Sequence, residues 1–209
     1  MRKKNFLILI CVMSLCLLVS VGVLADRYID SDILKFFDAA KEVNDGENTV
    51  VAVVNGKKIY QETIDFLVSG KEITLKNSTS AVSNGDISSY KNEILQEQIR
   101  NAVVLSEAER LGLIADYDEA LKYTRENYEL VKKIGGETYK IITDYMEEMG
   151  LTEEEYLKKS ADVNRNMLTR GNLYDNFIKG KTGTNEELIA EYEQYVKELI
   201  ENADIKSND

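Results

Sequence analysis

The sequence predicts a mainly α protein with a small β-hairpin near its start and a tail able to supply a closing strand. Three observations carry this. Val50 to Tyr60 reads as strand, turn and strand. The long stretches downstream repeat apolar residues at helical spacing and are bounded by capping residues and glycines. No proline occurs among the 209 residues to interrupt them.

The first element is not part of that body. Arg2, Lys3 and Lys4 precede a run from Phe6 to Leu24 without a charge. As a helix this run would span about 28 Å, enough to cross a bilayer. Two readings follow for residues 1–25: a single-pass anchor with the N-terminus inside, or a signal peptide cleaved after Ala25, where Val23-Leu24-Ala25 offers small-residue positions. Both place the chain from Asp26 onward outside the cytoplasm. Residues 26–47 read as a stalk or short helix, with Ile33, Leu34, Phe36, Phe37, Ala40 and Val43 at helical spacing.

The hairpin follows. Val50 to Val54 is a β-branched run, and Asn55-Gly56 is the pair that accepts positive φ in a two-residue turn. A helix is expected from about Gln61, with Ile64, Leu67 and Val68 facing inward, and then a polar connection from Asn77 to Asp86. Asn77-Ser78-Thr79 matches a glycosylation acceptor, but the Lys-, Asn- and Ile-rich composition makes it a loop.

The helix from about Ile87 to Leu111 carries a wide apolar stripe, Ile94 through Ala108 and Leu111, and is expected to be central. Gly112 ends it. Asp116 with Glu119, Thr152 with Glu155, and Thr184 with Glu187 are capping-box signals for three later helices. Gly135-Gly136, Gly150 and Gly180 to Gly183 separate them. The helix Glu137 to Met149 aligns Tyr139, Ile142, Tyr145, Met146 and Met149 on one side. The last helix offers Leu188, Tyr192, Tyr195, Val196, Leu199 and Ile200 to the core, and Ala203 to Lys206 can form a short strand.

Chemistry is limited by what the chain lacks. It has no histidine, and Cys11 and Cys16 both lie inside the apolar run. A Ser-His-Asp triad, a cysteine protease site and a His-containing zinc site are therefore excluded, and no disulfide can staple the remainder. Gly180-Lys181-Thr182 is not a phosphate loop, because Asp175 stands where a glycine is required and no strand precedes it. No cofactor is expected. Beyond residue 25 there are 23 basic and 37 acidic residues, a net charge of −14, which makes nucleic acid a poor partner.

The order of hairpin, helix, polar loop and long helix ending in Glu107-Ala108-Glu109-Arg110-Leu111-Gly112-Leu113, followed by Met149-Gly150-Leu151-Thr152-Glu153-Glu154-Glu155-Tyr156, resembles the N-terminal chaperone module of SurA/PrsA-like foldases over residues 48–180. Residues 181–209 look like that family's closing helix and strand, with only a linker where a parvulin prolyl isomerase domain would be inserted. The lack of histidine agrees with that omission. Neither cysteine has the small upstream residue of a lipid-attachment site, a departure from many PrsA-like proteins.

The resemblance implies an ATP-independent holdase for unfolded or newly secreted polypeptides, without isomerase catalysis and attached to the membrane through the N-terminal segment. Tyr139, Ile142, Tyr145, Met146 and Met149 are its expected client surface, since Met and Tyr adapt to varied partners. Core packing is the competing reading of that stripe. The alternative function is a membrane-anchored adaptor for one envelope partner.

Overall fold

The computed structural model describes residues 49–68 and 87–207. The apolar segment with its Ala25 cleavage candidate, the stalk and the polar connection lie outside them. Among the described residues no helix is long and apolar enough to cross a membrane.

Strands β1 (Val50–Val54) and β2 (Lys57–Tyr60) form the expected hairpin. Asn55 and Gly56 turn it with φ of 48° and 79°, the left-handed conformation that these two residue types tolerate best. The pairing contains an irregularity between Val50 and Ala52, a bulge that the sequence pattern did not announce. Residues 61–68 (α1) continue as helix, and the Thr49 N–H donates to Glu62 Oε1 across the junction at 2.8 Å.

The remaining helices are α2 (Ile87–Arg110), α3 (Tyr117–Ile134), α4 (Gly136–Glu148), α5 (Glu153–Ile178) and α6 (Asn185–Glu201). Strand β3 (Ile205–Ser207) then pairs antiparallel with β1, giving the order β2-β1-β3. The turn also clasps this tail. The Asn55 N–H donates to the Asp204 carbonyl at 2.9 Å, and the Asp204 N–H donates to Asn55 Oδ1 at 3.0 Å. Burial of Ile205 against the hairpin is a natural expectation for such a strand, but its side chain remains 37% exposed. The strand is short and lies at the sheet edge, so neighbours cover it from one side only.

Helix α2 is central, as its wide stripe predicts. Ile94, Ile99, Ala102 and Val103 pack on Ala52, Val54 and Ile59 of the sheet and on Ile64 and Val68 of α1, with Leu199, Ile200 and Ala203 closing the same core. Val104 and Ala108 meet Leu173 of α5 and Val196 of α6 in a second cluster. Each buried aliphatic side chain of this kind stabilises the fold by roughly 1.5–3 kcal/mol.

Glycine 112, at φ 70°, stops α2 while the Leu113 N–H donates back to the Ala108 carbonyl. The connection to α3 is held by α5. Thr169 Oγ1 accepts from the Ala115 N–H, Arg165 Nε donates to the Ala115 carbonyl, and Asn172 Nδ2 donates to the Leu113 carbonyl. Thr152 and Thr184 form reciprocal capping boxes with Glu155 and Glu187. The Asp116 cap consists of its carboxylate accepting from the N–H groups of Asp118 and Glu119.

Candidate functional site

Helices α3 and α5 pack as a long antiparallel pair, and α4 folds across one end. Ala120 and Thr124 of α3 face Ser160, Ala161 and Asn164 of α5, all buried. Asn164 Nδ2 donates to Thr124 Oγ1 at 2.7 Å, and Thr124 donates in turn to the Ala120 carbonyl. Small residues on both sides let the two helices approach closely. A buried amide paired to a hydroxyl favours one register of the pair.

At the end covered by α4 the small residues give way to tyrosines. Tyr128 lies 5.8 Å from Tyr156 and 6.2 Å from Tyr139, centroid to centroid, and Tyr145 meets Tyr156 edge-on at 6.4 Å. The Tyr128 hydroxyl donates to Glu153 Oε2 at 3.0 Å, and Lys132 Nζ reaches the same oxygen at 3.1 Å. Burial, with hydrogen bonds to Tyr139 and Glu153, pushes the Tyr128 phenol far above its ordinary range. The Lys132 hydrogen bond holds the Glu153 carboxyl below the usual carboxylate range. Tyr128 is thus a neutral donor locked onto a carboxylate, a structural arrangement with no free base or nucleophile.

The five residues of the α4 stripe are brought together on this aromatic base but divide by depth. Ile142 and Tyr145 are buried, Tyr145 at 1% exposure, whereas Tyr139, Met146 and Met149 are partly exposed. Ile141, not among the expected residues, is also buried. The stripe is therefore divided into a packed inner part and a partly exposed outer part.

A second apolar surface was missed by the sequence reading. Tyr123, Leu130 and Ile134 lie exposed on the outer face of α3. Their spacing of seven and then four residues was the available signal, hidden beside the more apolar inner face. Among the described residues no cluster of three or more Cys, Asp or Glu side chains is placed to hold a metal ion.

Comparison with known proteins agrees with this architecture. The chain matches the family described as SurA-like N-terminal domain over residues 1–171. It is 24% identical over 186 residues to the foldase protein PrsA of two Clostridium perfringens strains, an alignment covering 86% of this chain and 51% of each relative. The chain thus spans about half the length of the curated relatives it matches. No solved structure matches it. With a hairpin-bearing base, a central long helix and the family match over most of its length, the chain belongs to the SurA-like N-terminal domain family.

Proposed function

We propose that this protein is an extracytoplasmic, ATP-independent holdase that binds unfolded or newly secreted polypeptides and does not catalyse prolyl isomerisation. The observation that carries this reading is the SurA-like family match to a chain whose similar curated proteins are named foldases. Residues Tyr139, Met146 and Met149 form the outer client contact, with Ile142 and Tyr145 behind them as a rigid apolar base. Thioether and phenol side chains adapt to clients of varied shape, and a formal net charge of −11 keeps the loaded complex soluble.

The absence of catalysis is supported by the junction between α5 and α6. Residues 179–184 link the two helices, and α6 with β3 returns the chain to the hairpin. Membrane association would come from Phe6 to Leu24, and the chain after Asp26 would face outside.

The test is aggregation of several unrelated denatured proteins in the presence of the purified chain, with proline-limited refolding measured in parallel. Suppression of aggregation at near-stoichiometric ratios without faster refolding is expected. Acceleration at catalytic ratios would overturn the non-catalytic part. Unchanged aggregation together with retention of one folded envelope protein would make the chain an adaptor.

A further inference from the structure

Helices α2, α5 and α6 meet around a guanidinium that the fold leaves without a bonded countercharge. Arg170, Tyr174 and Phe177 stand at positions i, i+4 and i+7 of α5 and so share one face. Tyr192 of α6 lies against that face, edge-on to Tyr174 at 5.0 Å and to Phe177 at 5.4 Å between ring centroids. From α2, Asn101 Oδ1 accepts from Arg170 Nη1, and the neighbouring Arg100 donates to Glu193 Oε1 of α6 at 2.7 Å. Both guanidinium groups act through space on the Tyr192 phenol, so the three groups share one neighbourhood. All five of Arg100, Arg170, Tyr174, Phe177 and Tyr192 are partly exposed.

The pairing of Arg170 is incomplete. The neutral Asn101 carbonyl takes one of its five N–H groups, and no Asp or Glu among the described residues forms an ion pair with it. Glu97 reaches it only through space, and the Arg100 charge opposes it. Burial holds the guanidinium below its ordinary range, yet an arginine keeps its charge in such a setting. Taking that charge out of water without an opposite one costs free energy that an incoming anion recovers. The unused donors are not sealed in. Among the described residues the buried unpaired side-chain atoms are Glu62 Oε2 and Ser160 Oγ, so the remaining N–H groups of Arg170 meet solvent.

We propose that the junction of α2, α5 and α6 is a carboxylate-binding subsite for client polypeptides. Arg170 is its principal donor and Arg100 its second cation, while Tyr174, Phe177 and Tyr192 form an apolar wall for the neighbouring client residue. The subsite rests on the holdase reading and adds to it a preference for acidic segments. A guanidinium presents two parallel N–H donors that match the two oxygens of a carboxylate, whether that group is a side chain or a chain terminus. The adjoining rings exclude water, which strengthens the pairing. Against a formal net charge of −11, holding an acidic segment requires such a local cationic point.

Fluorescence anisotropy of the full chain in mild detergent tests this, with N-terminally labelled peptides rich in leucine and phenylalanine. The peptides differ in one group: a central Asp or its Asn twin, and a free or amidated C-terminus. The Asp peptide, the free-terminus peptide or both should bind about tenfold more tightly than the fully neutral peptide, the gain of one charge-assisted contact. Which peptide gains identifies the source of the carboxylate. Arg170→Met should abolish the gain and leave binding of the neutral peptide in place, a separation that loss of the fold would not produce. Arg170→Lys should keep only part of the gain, because an ammonium lacks the planar fork. Glu97→Gln should enlarge it by removing a competing acid.

A neutral peptide bound as tightly as its acidic twins overturns the subsite and leaves the holdase reading standing. A gain that survives Arg170→Met also overturns it. Failure of every peptide to bind removes the subsite together with the holdase reading.

Discussion

The Tyr195 hydroxyl donates to Glu107 Oε1 at 2.8 Å, joining the closing helix α6 to the central helix α2. Arg110 holds both oxygens of the same carboxylate, at 2.6 and 2.7 Å. A charge-accepting bond in a buried setting is worth more than an ordinary one, so Tyr195→Phe should lower unfolding stability by about 1–2 kcal/mol. Chemical denaturation checks this. An unchanged midpoint and slope would show that α6 is held by Val196 and its apolar neighbours alone.

The same pair predicts a pH response. Arg110, with Tyr195 assisting, holds the Glu107 carboxyl below its ordinary value of 4.5. Its contribution is therefore fully present above that value and is lost as pH falls through the lower folded value. Tyr195 is pushed up from 10.0 to about 12, by burial first and then by its bond to Glu107. That contribution is present below pH 10 and is lost as pH rises toward the folded value. Between pH 10 and 12 the stability difference between wild type and Tyr195→Phe should narrow; a constant difference across that window would refute the coupling.

The α3–α5 seam offers a paired test. Ser160 Oγ is buried with no hydrogen-bond partner, whereas Asn164 is satisfied by Thr124. Ser160→Ala removes an unpaired polar group and should be neutral or stabilising by up to about 1 kcal/mol. Asn164→Ala leaves a cavity and removes the bond, and should cost roughly 2–3 kcal/mol. Melting temperatures that moved in the opposite order would contradict this account of the seam.

Truncation after Glu201 removes β3 and frees an edge of β1. The loss should exceed about 1 kcal/mol, more than trimming a frayed tail would cause. Asn55→Gly is the finer probe, since it keeps the turn conformation but deletes the Oδ1 acceptor for Asp204. If thermal melting of the truncated chain matched that of the intact one, the clasp would contribute nothing.

On the α4 surface, Met146→Ser with Met149→Ser should reduce aggregation suppression several-fold while moving the melting temperature little, because both side chains are only half-buried. Tyr145→Ala should instead destabilise the fold by about 3 kcal/mol or more, since its ring fills the aromatic base. Equal losses of suppression and of stability in the methionine variant would leave these residues a packing role only.

Local chemistry made much of this protein legible from its residues. Asn55-Gly56 demanded a left-handed turn, Gly112 and Gly150 marked helix ends, and Thr152 and Thr184 opened helices by bonds that reach only three residues along the chain. Helical periodicity also identified α2 as the central helix, because its apolar stripe is too wide for a single contact. Periodicity names a face, however, and not what covers it. On α4 the structure separates buried Ile142 and Tyr145 from accessible Met146 and Met149, and on α3 it leaves Tyr123, Leu130 and Ile134 facing outward. The bulge beside Val51 and the exposure of Ile205 likewise depend on neighbours distant in sequence. Those outcomes belong to tertiary packing, since burial depends on which other surfaces arrive and no residue carries that information alone.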